Sequence, residues 1–294
     1  MKIKNIIHQQ TKTLEVRPNG RSSDFVTPNF ILGCQASCLY CYTKRWKRDN
    51  IYINTNTDLF SPSGNKILGI IKHHSENVSI QKPNQIDDKY ITYDIGCSTD
   101  VTYYWKKYNW VEVLTFFQNH NIKSTFATKF VNNKMLDFPA NEQNRIRFSI
   151  MPQTIANVVQ PNVTNELLKI KAIDYAKSKG WDVHINFSPV IYYKGWKKDY
   201  SKLFQDIDRL VKNKTNVYCE VIFLTHNENL HNVNMVDNPE VENLLWNPKI
   251  QEPKTSNYGG NNVRYQYQLK KEFIEEFKAI HNKYISWCKI RYIF

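Results

Sequence analysis

Gly33-Cys34-Gln35-Ala36-Ser37-Cys38-Leu39-Tyr40-Cys41-Tyr42 is the stretch on which the reading of this chain turns. Its thiols follow a C-x3-C-x2-C spacing between positions 34 and 41. Three thiolates on one tight loop can hold three irons of a cubane cluster and leave the fourth iron open as a reaction site. Zinc is the structural alternative, but zinc loops usually pair C-x2-C units to complete four ligands, and no second pair is present. Cys97, Cys219 and Cys288 are scattered, and none of the eight histidines, His184 and His226 included, has ligand spacing with the cysteines. Six cysteines without an apolar run in Met1 to Gln10 do not read as a secreted disulfide framework. A soluble protein in the reducing cytoplasm is expected.

Working outward, Phe30-Ile31-Leu32 is a short apolar strand that runs into the loop, and residues 1–25 before it read as a polar arm. Downstream, strands and helices alternate. A helix is expected within Ser61 to Ser75, a strand at Tyr90 to Tyr93 and a helix at Trp110 to Asn119. Ser124 to Thr128 and Arg145 to Met151 are β-branched and aromatic runs, hence strands, with a short helix between them. Asn162 to Lys179 is the clearest helix, with Thr164 as N-cap, Leu167, Leu168, Ile170, Ile173 and Ala176 at helical spacing, and Gly180 as stop. Val183 to Phe187 is a strand, Tyr200 to Val211 a helix and Val217 to Leu224 a strand. Such alternation requires parallel strands with right-handed crossovers. The expected fold class is α/β, a partial (β/α)6 barrel over residues 26–225 whose ligands sit at the C-terminal strand ends. A doubly wound open sheet is the competing architecture. Residues 226–294 form a C-terminal α+β extension: a polar, irregular excursion to Gly260, then a strand, a closing helix and a terminal strand.

At 294 residues and 41% hydrophobic, the chain can bury a substantial core, which excludes disorder as the default state. No stretch approaches the ~20 apolar residues of a membrane span. Lys plus Arg number 40 against 27 Asp plus Glu, a net charge of +13. That excess suits a polyanion, held through counterion release, with Tyr and Trp faces free to stack on splayed bases. Charges spread over solvated faces are the plainer account.

A second motif, Tyr93-Asp94-Ile95-Gly96-Cys97-Ser98-Thr99-Asp100, follows the strand at Tyr90. In a (β/α) barrel the C-terminal strand ends share one face, so a thiol at Cys97 would stand near the open iron. A lone cysteine can equally be an inert core residue.

C-x3-C-x2-C followed by an aromatic residue resembles the signature of the radical S-adenosylmethionine (SAM) superfamily. The resemblance implies that SAM chelates the open iron of a [4Fe-4S] cluster held by Cys34, Cys38 and Cys41. Reduction then splits SAM to a 5'-deoxyadenosyl radical, so the partial barrel would be of the radical SAM type. Within that superfamily the chain resembles the spore photoproduct lyase family. The matching segments are Cys34 to Tyr42, Cys97-Ser98-Thr99-Asp100, Thr128-Lys129-Phe130, Arg147 to Ile150, Pro189 to Trp196 and Tyr265 to Phe294.

This likeness implies direct reversal of two thymines joined through a methyl carbon, as a carbon–carbon lyase acting on DNA that carries the thymine dimer lesion. Cys97 occupies the family's hydrogen-donor position. Tyr40 and Tyr42 match tyrosines that return the radical towards SAM, although both can simply pack around the cluster. Tyr42, Lys129 and Ser149 match cofactor-contacting positions, Lys129 as a point charge for the SAM carboxylate and Ser149 as a hydroxyl donor. Thr99, Tyr258, Arg264 and Tyr265 are the expected substrate contacts, the last three on a hairpin able to wedge beside an extruded dinucleotide. An electron donor such as flavodoxin or ferredoxin is implied. Two other readings stay open: a radical SAM enzyme acting on RNA, a peptide or a small molecule, and a non-catalytic metal-stabilised nucleic-acid-binding protein.

Overall fold

Through the middle of the chain apolar and polar residues alternate with a period of two, and in the computed structural model these runs become strands. The structure describes residues 6–9, 14–43, 50–55, 64–79, 89–255 and 260–294. Its elements begin with β1 (Ile6–Gln9), β2 (Arg17–Pro18), β3 (Phe25–Val26), β4 (Ile31–Leu32), β5 (Ile51–Asn54), α1 (Lys66–Asn77), β6 (Thr92–Asp94) and α2 (Trp110–Asn119). There follow β7 (Lys123–Thr128), α3 (Asn133–Leu136), β8 (Asn144–Ser149), α4 (Gln153–Val159), α5 (Glu166–Ser178), β9 (Asp182–Val190), α6 (Trp196–Leu210) and β10 (Tyr218–Phe223). The last are β11 (Thr225–Asn227), α7 (Glu228–Asp237), α8 (Pro239–Leu245), β12 (Gln251–Thr255), β13 (Asn261–Tyr265), α9 (Tyr267–Ile285) and β14 (Lys289–Ile293). The chain divides into two compact units, one of Met1–Gln35, Arg48–Phe148 and Ala172–His184, the other of Ala36–Lys47, Ser149–Lys171 and Ile185–Phe294.

In the first unit β3, β6, β7 and β8 pair in parallel, each with the next, and β2 lies antiparallel on β3. The strand that opens this parallel sheet is therefore Phe25–Val26, not the expected Phe30 to Leu32. Two residues are too few to show a pattern, but the backbone extends the pairing on both sides: Asp24 N donates to Thr92 O at 3.0 Å and Thr27 N to Asp94 O at 3.1 Å. Ile31–Leu32 pairs instead with β5 in a separate small sheet that also holds β1. Its apolar character serves packing, since Phe30 lies against Tyr108 and Trp110 at 5.5 and 5.6 Å between ring centroids.

In the second unit β10 pairs in parallel with β14, and β11, β13 and β12 form an antiparallel sheet. Phe187, Phe204 and Phe277 form an aromatic cluster joining β9, α6 and α9. The expected irregular excursion after His226 is two helices and a hairpin strand. The Asn-Pro pair that reads as a breaker starts a helix: Pro239 sits at the first turn of α8, where its missing N–H costs nothing. Likewise α5 starts later than expected. At its start Asn165 Oδ1 accepts from Leu167 N at 2.9 Å. Leu167 and Leu168 are 42% and 54% exposed, while Glu166 and Lys169 take the buried positions. No helix among the described residues is long and apolar enough to cross a membrane.

The sheet of the first unit buries charge on one face. Ile146 and Phe148 alternate along β8 with Arg145 and Arg147, and all four are buried. Asp182 gathers three basic side chains: its Oδ2 accepts from Lys123 Nζ at 3.0 Å and Arg145 Nε at 2.7 Å, and its Oδ1 lies 3.2 Å from His184 Nε2. Asp94 accepts from Arg147 Nη2 at 2.7 Å. Burial alone would raise the Asp182 pKa, but His184, Arg145 and Lys123 outweigh it and hold the carboxyl well below the usual carboxylate range.

Removing that carboxylate would leave buried cations unpaired, so Asp182→Asn is expected to cost about 3–5 kcal/mol in urea unfolding at neutral pH. Because the folded-state pKa is depressed, the stabilisation is complete above the unfolded value of about 3.9 and is lost as pH falls through the folded one. The wild type should therefore lose stability below about pH 4 more steeply than the variant. A variant within 1 kcal/mol of wild type at neutral pH would refute the network's role.

Candidate active site

Glycine at position 33 is required by the backbone, which turns through φ +107° there, and a Cβ would stand 3.1 Å from both Asn50 O and Ile51 Cδ1. Cys34 follows it. Within the first unit three hydrogen bonds hold the peptides on either side of Cys34: Gly33 N donates to Ser98 O at 3.0 Å, Thr99 Oγ1 to Gly33 O at 2.9 Å, and Gln35 N to Tyr104 Oη at 3.0 Å. The two sequence motifs are thus one structure. Thr99, expected at the substrate, donates its hydroxyl to the cysteine loop.

Cys97 is half-buried on the turn after β6. Asp94 Oδ1 accepts from Gly96 N at 2.9 Å and starts that turn. A Cβ at Gly96 would lie 2.8 Å from Phe126 Cβ, so the close approach of this turn to β7 needs glycine. Asp100, buried, closes the segment: it accepts from Thr128 Oγ1 at 2.8 Å, Lys129 N at 2.9 Å and Tyr103 N at 3.1 Å. Burial raises its pKa against those three bonds. Asp100 therefore fixes the peptide of Lys129, itself half-buried.

In the second unit Cys38 is buried and Cys41 half-buried; neither they nor Cys34 form a disulfide. Leu39, between them, is fixed at both ends of its peptide unit, its N–H donating to Val159 O at 2.9 Å and its carbonyl accepting from Asn234 Nδ2 at 2.8 Å. Cys41 Sγ lies 3.0 Å from Thr43 Oγ1, whose hydroxyl donates once the sulfur is a thiolate. Thiols spaced as Cys34, Cys38 and Cys41 are in the sequence, with a hydroxyl against the Cys41 sulfur, have the donor chemistry that fits an iron–sulfur cluster.

Tyr40 donates its hydroxyl to Gln160 Oε1. Gln160 Nε2 passes to Glu166 Oε1 at 3.1 Å, Lys169 Nζ bonds both Glu166 Oε1 and Ser149 O at 2.7 Å, and Met151 N donates to Glu166 Oε2 at 3.2 Å. Two expected site residues, Tyr40 and Ser149, are so joined through Gln160, Glu166 and Lys169, which sequence reasoning missed. Their only signal was a Glu and a Lys three residues apart on a helix, a spacing typical of exposed pairs. Enclosure, then the Cys38 and Cys41 sulfurs and Glu166, push the Tyr40 phenol well above its usual range.

Tyr42 is 43% exposed. Tyr258 lies outside the described residues. Arg264 is exposed and donates to Glu252 Oε1 at 2.9 Å. Tyr265 is buried, and its hydroxyl accepts from Tyr192 N at 2.8 Å. Among the described residues, the group of three His, Cys, Asp or Glu ligands gathered within 4.8 Å is Cys219, His281 and Cys288, where the sequence suggested no such histidine. A closed zinc site takes four ligands, and this group offers three. Cys219 Sγ already bonds His281 Nε2 at 3.6 Å and Cys288 O at 3.7 Å, so it reads as hydrogen-bonded packing.

The sequence model of the spore photoproduct lyase family matches residues 3–294. Among solved structures the chain is similar to spore photoproduct lyase complexed with dinucleoside spore photoproduct: 18% identity, 98% of this chain and 82% of that chain, TM-score 0.84. A double variant of spore photoproduct lyase with bound AdoMet and dinucleoside spore photoproduct matches at 17% identity with the same coverage and TM-score 0.84. These likenesses show the fold, the α/β partial barrel expected from the sequence. No curated protein sequence matches the chain.

Thr99→Val keeps the side-chain shape and removes the bond to Gly33 O. A hydrogen bond of about 1 kcal/mol corresponds to roughly a fivefold change, so the reconstituted variant should lose iron in air about fivefold faster than wild type. Thr99→Ser should restore the rate. Loss at the wild-type rate in Thr99→Val would show that the clamp does not hold the cysteine loop.

Proposed function

The chain belongs to the spore photoproduct lyase family, and from that premise we propose that it reverses the spore photoproduct in DNA to two thymines. The residues that would hold the cofactors are Cys34, Cys38 and Cys41 for a [4Fe-4S] cluster, and Lys129 and Ser149 for SAM. When bound, these groups supply a 5'-deoxyadenosyl radical that removes hydrogen from C6 of the dihydrothymine. A reduced flavodoxin or ferredoxin is the expected electron source.

The chain's own residues bind, orient and return hydrogen. Lys129 offers its ammonium to the SAM carboxylate, and Asp100 sets the direction of that side chain by fixing its peptide. Once the methylene bridge has broken, one thymine is left short of a hydrogen atom. Cys97 supplies it: the S–H bond breaks, a C–H bond forms on the thymine methyl carbon, and a thiyl remains. A tyrosine O–H, from Tyr40 or Tyr42, returns hydrogen to that sulfur, and the phenoxyl so left would regain hydrogen from 5'-deoxyadenosine, so that SAM is regenerated rather than consumed. Tyr40 is held for the task by the bond its hydroxyl donates to Gln160 Oε1. The net charge of +13 favours the phosphates of a DNA strand.

The observation that carries this reading is the bonding of the Cys97 segment to the peptides flanking Cys34, under a family match that spans residues 3–294. Anaerobically reconstituted protein, given dithionite, SAM and a dinucleotide spore photoproduct, should release the thymine dinucleotide. Cys97→Ala should lose at least tenfold of that clean product and consume SAM at each turnover. SAM cleavage by the wild type with the lesion left intact would contradict the proposed substrate.

A further inference from the structure

Three soft donors converge within the second unit, far in sequence from the cysteine loop. Cys219 sits in β10, His281 near the end of α9, and Cys288 in the turn that joins α9 to β14. β10 pairs in parallel with β14, Tyr218 facing Lys289 and Cys219 facing Ile290, which makes neighbours of the two cysteines. The register slips at this point: Glu220 faces Tyr292, so β14 carries one extra residue beside Cys219. Irregularities of this kind re-aim side chains. Cys288 N donates to Ile285 O at 2.8 Å and closes the turn onto the end of α9. All three side chains are buried, and their ligand atoms lie within 4.8 Å of one another.

The imidazole is held as a metal ligand is held. Its Nδ1 lies 3.3 Å from Asn282 Oδ1. A carboxamide oxygen only accepts, so Nδ1 carries the ring hydrogen and Nε2 presents a lone pair. Cys219 Sγ stands 3.6 Å from that nitrogen. One ring nitrogen tied to an outer acceptor, with the other turned to the thiols, is the device that orients histidine ligands. Around a single ion, bonds of about 2.3 Å to sulfur and about 2.0 Å to nitrogen put those two atoms roughly 3.5–3.7 Å apart. The spacing that serves hydrogen-bonded packing therefore also serves coordination.

We propose that Cys219, Cys288 and His281 form a three-coordinate site for a soft monovalent ion, Cu(I). Ligand number and softness choose the ion. A closed zinc site completes four ligands, whereas thiolates select Cu(I) and copper accepts trigonal sets of sulfur and imidazole. Each thiol gives up its proton as its sulfur–copper bond forms, and the ion keeps its oxidation state. Bound there, it joins α9, β10 and the turn before β14. The site is independent of the reaction proposed above.

Anaerobic titration with Cu(I) against a chromophoric chelator tests this in the full chain with Cys34, Cys38 and Cys41 changed to alanine. Cys97 is then the one thiol outside the group. One Cu(I) should bind per chain, and copper X-ray absorption should read two sulfurs and one nitrogen. Cys219→Ser and Cys288→Ser should each weaken binding by roughly a hundredfold, and His281→Gln by at least about tenfold. Asn282→Ala should cost about tenfold and keep the same ligand count, as an orienting residue does. Copper should raise the unfolding midpoint of the parent but not of Cys219→Ser. Binding unchanged in both serine variants would overturn the proposal, as would copper lost on Cys97→Ala alone. Zinc held in preference to Cu(I), with a four-coordinate spectrum on Co(II) substitution, would overturn the choice of ion. Should the serine variants fail to fold, a copper shell in the parent that lacks nitrogen or holds a single sulfur would overturn the site.

Discussion

The peptide of Gly33 is the point on which the candidate site depends. Its N–H and its carbonyl are both engaged by residues 98 and 99, and its left-handed φ of +107° excludes any side chain there. One short segment after β6 therefore does three things. It fixes the entry to the cysteine loop, carries Cys97 on the same turn, and through Asp100 holds the peptide of Lys129. Bonds to both sides of the Gly33 peptide tie the Cys97 segment to the start of the cysteine loop and set its position.

Buried charge recurs within each unit. Asp182 with Lys123, Arg145 and His184, Asp94 with Arg147, and Glu166 with Lys169 all lie where an ordinary core would be apolar. Such pairs add little net stability over a hydrophobic substitute, because desolvation nearly cancels the attraction. What they provide is direction. Each fixes particular backbone atoms or strand ends, as Lys169 and Glu166 fix Ser149 O and Met151 N.

Much of this was legible in the sequence, for identifiable reasons. Trp110–Asn119 is an amphipathic helix with an asparagine cap, and its bounds were read to the residue. The strands at 123–128 and 144–149 announce themselves by β-branched and aromatic alternation. Phe25–Val26 was invisible because two residues hold no period. Pro239 misled because proline at a helix start and proline as a breaker look alike in a string of letters. Glu166 and Lys169 resembled a solvated pair. Only the tertiary partners Gln160 and Ser149 O decide that they are buried, and no local pattern encodes those partners. Thr99 was placed at the substrate by resemblance, while its hydroxyl bond to Gly33 O could be seen only once the two motifs were folded together.

The central claim is that the three thiols of the loop are the ligands of an iron–sulfur cluster. Iron and acid-labile sulfide, measured per chain after anaerobic reconstitution of the wild type and of a variant with Cys34, Cys38 and Cys41 all changed to alanine, test it most directly. The account predicts about four irons and four sulfides in the wild type and neither in the variant. Stoichiometric zinc without sulfide in the wild type, or iron and sulfide retained by the variant, would contradict it.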